Sequence, residues 1–367
     1  MSDYVQSSTH NRIGFITLNR PDALNSLSLA MVRALTQVLL GWRDDAAIDA
    51  VVIHSSSAKA FCAGGDIRFF HAVGSKPPTG GSALLEDFFT EEYALNHLIH
   101  HYPKLYIALL DGVVMGGGMG IAQSGEAARL RIVTERTKMA MPEVNIGLFP
   151  DVGGGYFLSR APGRIGAYLG LTGEIIGAAD ALHAGLADVF VPSAELPTLL
   201  ALLRTNPRGG SGNGARAVVN HFAAGFRAQI DPAASRLAMQ RALIDRHFAH
   251  DSVQQIVAAL EQDGDPFAQK TLAVMRQRSP LLMCVTLEQL RRGASMSVAD
   301  SLRMERTMVR HCFEHGEVLE GIRALVIDKD NAPQWNPPAL EAVTPEMVGA
   351  FFVEAWPAYA HPLKNLA

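Results

Sequence analysis

Short β-rich runs alternate with longer amphipathic ones through the first half of the chain, and this alternation restricts the fold more than any other feature. "IGFITLNR" (13–20) has the β-branched character of a strand, and from Ser28 through Trp42 apolar residues recur at helical spacing. A second strand is expected at "AVVIHSS" (50–56), ending in the loop "SAKAFCAGGDI". A third, "LYIALLDGVV" (105–114), runs into a glycine cluster, with "GIAQSGEAA" predicted helical beyond it. "RLRIVTERTKMAMPE" (129–143) supplies more strand and "LADVFVP" (186–192) the last. Strands alternating with helices predict an α/β layered core. "GSKPPTGGS" (74–82) and "NPRGGSGNGAR" (206–216) read as surface loops. The second marks a boundary between a core over 1–205 and a mainly helical region over 206–367. In that region Ser297 with Asp300 opens one helix, and Thr344-Pro345-Glu346 opens another with N-cap, N1 proline and first-turn acid. No internal repeat is evident.

The balance of residues excludes several classes of function. With 48% apolar and 19% charged residues in 367, the chain has ample material for a core. Its formal charge is −4 and no basic run occurs, which argues against a nucleic-acid partner. Cys62, Cys284 and Cys312 are far apart and odd in number, so a reducing, cytoplasmic compartment is expected instead of a disulfide framework. "MSDYVQSSTHNR" has neither an apolar core nor an Arg-rich presequence pattern, and no later segment has the length and polarity of a membrane span. A soluble protein is expected.

Three motifs could carry chemistry. "VVMGGGMGIA" (113–122) places glycine at four of the five positions 116–120, more than a turn requires, between apolar flanks. Either this is structural, or backbone must approach a ligand closely with its N–H groups free. No Lys-Ser/Thr follows, and no dinucleotide-type acid, so a nucleotide-phosphate cradle is the weaker functional reading. "FCAGGDI", with Gly64-Gly65, has the same two readings: a tight turn, or an N–H presented to an anion or a polarised carbonyl. In "MPEVNIGLFPDVGGGYF" (141–157), Glu143 and Asp151 each follow a proline within an otherwise apolar segment. Both could be caps or turn acids. Buried, they would acquire raised pKa values suited to acid–base work near neutrality. Two glycine turns plus such an acid fit an oxyanion hole with a base, hence acyl chemistry.

Other candidates are weaker. His97 and His101 stand four apart, but no third ligand and no His-Glu-x-x-His occur, so no metal is expected. No G-x-S-x-G elbow is present. Glu91-Glu92-Tyr93 reads, on spacing alone, as a solvated helix face.

Through these motifs the chain resembles the crotonase (enoyl-CoA hydratase/isomerase) superfamily, and most closely its 3-hydroxyisobutyryl-CoA hydrolase branch. The resemblance rests on "NRPDALNSL", "KAFCAGGDIR", "EEYALN", "VMGGGMG", "MPEVNIGLFPDVGGGYFLSR" and "LTG" in order. It continues through "SPLLMCVTLEQL", "EGIRALVIDKD", Trp335 and "VTPEMV", and so spans nearly the whole chain. It implies an α/β fold, the crotonase (ClpP-like) spiral of ββα units, with the acyl-CoA site in 1–205 and a helical C-terminal region in 206–367. It also implies that the N–H groups of Gly65 and Gly117 bind the thioester oxygen. Hydratases of the superfamily carry a glutamate where this chain has Gly120, which disfavours enoyl-CoA hydration. Glu143 and Asp151 match the hydrolase carboxylate pair, and Glu92 matches a substrate-contacting glutamate; Gly117, Glu143 and Asp151 would contact substrate too. CoA contacts are expected at Arg20, Lys59, Ala63 and Asp66, the two cations at phosphates. The implied activity is hydrolysis of a short branched 3-hydroxyacyl-CoA, 3-hydroxyisobutyryl-CoA above others, in valine breakdown. No cofactor is implied beyond the CoA of the substrate, no membrane or nucleic-acid partner, and self-association would use the C-terminal helices. The alternatives are another crotonase activity, such as enoyl-CoA hydration or isomerisation, and non-catalytic acyl-CoA binding.

Overall fold

The computed structural model describes residues 3–76, 81–123, 125, 128–205 and 212–367. Its contacts divide it into two compact units that alternate along the chain. One comprises Met1–Gly65, Leu95–Met139 and Ile176–Met239; the other comprises Asp66–Ala94, Ala140–Ile175 and Gln240–Ala367.

The first unit is built on strands. Among the described residues these are β1 (Val5–His10), β2 (Ile13–Leu18), β3 (Ala50–Ser55), β4 (Ala60–Cys62), β5 (Leu105–Leu110), β6 (Val113–Met115), β7 (Arg129–Val133), β8 (Lys138–Ala140) and β9 (Val189–Phe190), with only the end of β8 assigned to the second unit. Six form one sheet in the order β1-β2-β3-β5-β7-β9, antiparallel at β1–β2 and parallel thereafter. In register, Phe15, Val52, Ile107 and Leu130 form a row across four strands. That face packs against Leu196, Leu199 and Leu203 of the Leu196–Thr205 helix and Ala215, Val219 and Ala223 of the Gly212–Ala224 helix. The parallel strands are joined by crossovers, such as the Leu29–Arg43 helix between β2 and β3, as the alternation in the sequence predicted.

Four local expectations need correction. The single strand read at 105–114 is two: Gly112 turns at φ +78°, where a Cβ would overlap the Lys59 carbonyl, and the chain leaves the large sheet for a second one, β4-β6-β8. The stretch 129–143 divides in the same way into β7 and β8. The helical turn at the glycine cluster is Gly117–Gly120 itself, and the described residues from Ile121 to Ala128 are not helical. In "NPRGGSGNGAR", residues 206–211 lie outside the described residues, but 212–216 open a helix and are not loop. Its stripe at 215, 219 and 223 is buried, and burial outweighs the glycine content that suggested a loop. In "GSKPPTGGS", residues 77–80 also lie outside the described ones.

The second unit is mainly helical. Phe70, Phe88, Phe89 and Phe313 form an aromatic core, with centroids 4.8 Å apart for Phe70–Phe88 and 5.6 Å for Phe89–Phe313. The Val298–His315 helix is buried along much of its length. Its Arg306 guanidinium donates to Thr90 Oγ1 at 2.9 Å and pairs with Glu86. Both capping expectations hold: Ser297 accepts from the Asp300 N–H at 3.1 Å, and Thr344 from the Met347 N–H at 3.3 Å.

Candidate active site

The glycine turns belong to the first unit. Strands β4 and β6 run parallel, with Ala60 opposite Val113 and Cys62 opposite Val114, so the turns leaving them start side by side. After β4, Ala63 donates its N–H to the Leu24 carbonyl at 3.0 Å, and Gly64 takes φ +104°. After β6, Gly116 takes φ +48° before Gly117 opens its helical turn. A Cβ on Gly64 would stand 3.3 Å from the Met115 oxygen and 3.7 Å from the Gly117 nitrogen, so the two turns touch. A Cβ on Gly118 would overlap the Cys62 carbonyl. Both close approach and left-handed backbone therefore require glycine here. Among the described residues, none accepts a hydrogen bond from the N–H of Gly65 or of Gly117. Folded chains rarely leave a buried N–H such as that of Gly117 without a partner, so these groups are available to an incoming acceptor.

The carboxyl groups belong to the second unit. Glu143 opens the Glu143–Ile146 turn after Pro142. It is buried, and among the described residues its Oε2 has no partner. Asp151 is also buried, and its Oδ2 accepts from the Tyr93 hydroxyl at 2.8 Å. Glu92 is 2% exposed, its Oε1 again without a partner. The solvated face read at Glu91-Glu92-Tyr93 is therefore wrong for two of its three residues. Phe88 and Phe89 lie one turn earlier on the same inward face, and the aromatic core draws Glu92 and Tyr93 in with them.

Desolvation dominates the electrostatics. Burial first, and then the charge of Asp151, push Glu92 and Glu143 well above the ordinary carboxylate range. Asp151 is raised by burial to about 6, held from going further by the hydrogen bond from Tyr93. Like charges in one apolar site resist simultaneous ionisation, so the group titrates as a set. At neutral pH a carboxyl so placed can take or return a proton.

Sequence reasoning missed two members of this region. Tyr93 meets a partner 58 residues further on, a pairing that leaves no local signal. Glu305, with no exposed surface, accepts from the Gly153 N–H at 2.7 Å and the Gly155 N–H at 2.9 Å. Its signal was present: it stands on the apolar stripe Val298, Leu302, Val309 and Cys312 of its helix, where a carboxylate is costly.

The residues expected at CoA are placed less tellingly. Arg20 donates to the Ser26 carbonyl at 2.9 Å and lies 5.6 Å from the Tyr4 ring; Lys59 is exposed. Asp66 caps the Ile67–Gly74 helix through the Phe69 N–H at 3.2 Å. The rings of His97 and His101 stack at 4.1 Å, and among the described residues no group of three or more His, Cys, Asp or Glu side chains could hold a metal.

The chain belongs to the enoyl-CoA hydratase/isomerase family, whose profile matches residues 13–352. It is 41% identical over 339 residues to the "3-hydroxyisobutyryl-CoA hydrolase, mitochondrial" of Xenopus tropicalis, covering 92% of this chain and 86% of that protein. The solved carnitinyl-CoA dehydratase from Mycobacterium thermoresistibile superposes with a TM-score of 0.88 at 37% identity, over 97% of this chain and 98% of its own. The solved enoyl-CoA hydratase from Rhodobacter sphaeroides 2.4.1 gives 0.83 at 40% identity, over 96% and 98%. The fold is accordingly that of the crotonases, with a mostly helical C-terminal region. Among the described residues no helix is long and apolar enough to cross a membrane.

Proposed function

We propose that this protein hydrolyses short branched 3-hydroxyacyl-CoA thioesters, with 3-hydroxyisobutyryl-CoA as its substrate, in valine breakdown. The observation that carries the reading is the buried set Glu143, Asp151 and Glu92, combined with glycine at position 120, where hydratases place their second acid. The name shared by the curated relatives supports the same reading.

In this proposal the N–H groups of Gly65 and Gly117 bind the thioester oxygen and stabilise the oxyanion; such a donor is worth roughly 10²–10³ in rate. Glu143 either removes a proton from water as the water oxygen attacks the carbonyl carbon, or itself attacks to form a mixed anhydride that water then opens. In both routes the C–S bond breaks and the thiolate of CoA leaves. A thiolate is stable enough to depart without a strong general acid, which is consistent with Gly120. Asp151, oriented by Tyr93, positions Glu143, the water or the substrate hydroxyl, and Glu92 contacts the acyl group. CoA, part of the substrate and the only cofactor-like group required, lies along Arg20, Lys59, Ala63 and Asp66. The compartment is the cytoplasm, read from three cysteines that are far apart and odd in number, although the curated relatives carry a mitochondrial name. Self-association would use the C-terminal helices.

A second reading, enoyl-CoA hydration, is favoured by the titles of the two solved relatives. One experiment separates the two. Free thiol release from 3-hydroxyisobutyryl-CoA is followed for the wild type and Glu143→Gln, with hydration of crotonyl-CoA measured in parallel. Rapid release that falls by roughly 10²–10⁴ in the variant, with little hydration, is expected. Loss of the enoyl absorbance without thiol release would overturn the hydrolase reading. Tight binding of the ester with neither reaction would make the protein a binder.

A further inference from the structure

Asp151 sits in a segment that its own sequence would not hold. Val152, next to it, adopts φ +52°, in the left-handed region that β-branched residues rarely enter, and Gly153 follows at φ +90°. Such backbone persists only where its surroundings over-determine it. Local bonds run from the Gly154 N–H to the Asp151 carbonyl at 2.7 Å and from the Tyr156 and Phe157 N–H groups to the Gly153 carbonyl at 2.9 and 3.0 Å, and none of them engages Val152.

The remaining restraint comes from two C-terminal helices of the same unit, Pro280–Gly293 and Val298–His315. Gln289 donates its amide N–H to the Pro150 carbonyl at 2.7 Å. Glu305 accepts the Gly153 N–H on Oε2 at 2.7 Å and the Gly155 N–H on Oε1 at 2.9 Å. Ser301 Oγ and Gln289 Nε2, each 3.2 Å from Oε1, complete the set. Backbone groups on both sides of Asp151–Val152 are thus gripped by side chains about 140 to 150 residues away. Gly155 has no Cβ because one would stand 3.0 Å from Ser301 Oγ and 3.1 Å from Glu305 Oε1.

We propose that Glu305 is the positioning residue for Asp151: its carboxylate, bridging the N–H groups of Gly153 and Gly155, holds the 150–155 turn in the strained form that directs the Asp151 carboxylate to the Tyr93 hydroxyl. This deepens the hydrolase reading and rests on Asp151 having a part in that reaction. Burial raises Glu305 to about 8 against the pull of the two N–H bonds, and the charge of Asp151 contributes, as expected of groups in one site.

The test is a double-mutant cycle on thiol release with Glu305→Gln and Asp151→Asn. An amide turns one of the two acceptors into a donor facing Gly153 or Gly155, and so releases one side of the turn. Glu305→Gln is expected to lower kcat by roughly 10²-fold, the cost of about 1 Å of misplacement, with KM within about threefold. In the Asp151→Asn background the same change should cost nothing further, because both act through one group. Additive losses, or a rise in KM that accounts for the whole effect, would overturn the proposal. Should Glu305→Gln fail to fold, Ser301→Ala weakens the same grip and must show the same non-additivity in smaller degree. Should the wild type release no thiol, the hydrolase reading fails alone. Positioning is then decided by the crystal structure of the variant, in which a retained 2.8 Å contact between Tyr93 and Asp151 would refute it.

Discussion

The glycine turns of the first unit and the carboxyl centre of the second prepare for chemistry by opposite means. At Gly64–Gly65 and Gly116–Gly117 side chains are absent, and two peptide N–H groups have no acceptor among the described residues, beside a short parallel strand pair. At Glu92, Glu143 and Asp151 side chains are buried that water would otherwise solvate, one accepting from Tyr93 and two holding an oxygen with no partner among the described residues. The donors are inexpensive to preorganise, because a peptide dipole is already part of the scaffold and strand pairing fixes it. The acids are expensive, because a carboxyl reaches a pKa near neutrality only where its charged form is disfavoured. Stability is therefore given up in the second unit through desolvated carboxyls, and in the first through a buried N–H left without an acceptor among the described residues.

The contrast can be tested on each side. Gly64→Ala puts a methyl group 3.3 Å from the Met115 oxygen on backbone at φ +104°, a conformation that side chains rarely adopt, so the turn is strained and its donor shifts with it. A loss in kcat of roughly 10²-fold is expected with little change in the pH profile, measured by thiol release. A variant with unchanged kcat would remove the glycine turns from the mechanism.

The second unit should show its cost as stability. The Asp151 carboxyl is raised in the folded state, from 3.8 to about 6. Its contribution to stability is fully present below its unfolded value, about 3.9, and is lost as pH rises through about 6. Asp151→Asn should therefore be more stable than the wild type by about 1–2 kcal/mol at pH 8, and no more stable at pH 4. Denaturant titrations at the two pH values measure this. Equal destabilisation at both would show that the carboxyl is structurally required.

Tyr93→Phe gives the smallest effect. The hydroxyl holds Asp151 down, so its removal should move the acidic limb of kcat/KM up by about one pH unit while activity at pH 8 is nearly kept. An unmoved limb would mean that Asp151 does not control that side of the profile.

Much of this was legible in the sequence. The alternation of strand and helix predicted the layered core, and the motif glycines pointed to backbone that must come close. Gly118 bears this out, since it would overlap the Cys62 carbonyl if it carried a Cβ. Glu143 and Asp151 could be picked out because carboxyls between apolar residues are unusual. The helix at 212–216 and the interior place of Glu92 were not legible, because glycines and adjacent glutamates read as loop and solvated face until packing decides otherwise.

By itself, then, the sequence determined the layered α/β class, the family, and the residues too small or too polar for their surroundings. It could do so because steric demand and hydrophobic period are local along the chain. Only the tertiary structure decided that Tyr93 hydrogen-bonds Asp151, that Glu305 braces Gly153 and Gly155, and that burial lifts the carboxyls toward neutrality. Those properties depend on desolvation and on pairings between residues 58 to 152 positions apart, and no local pattern encodes them.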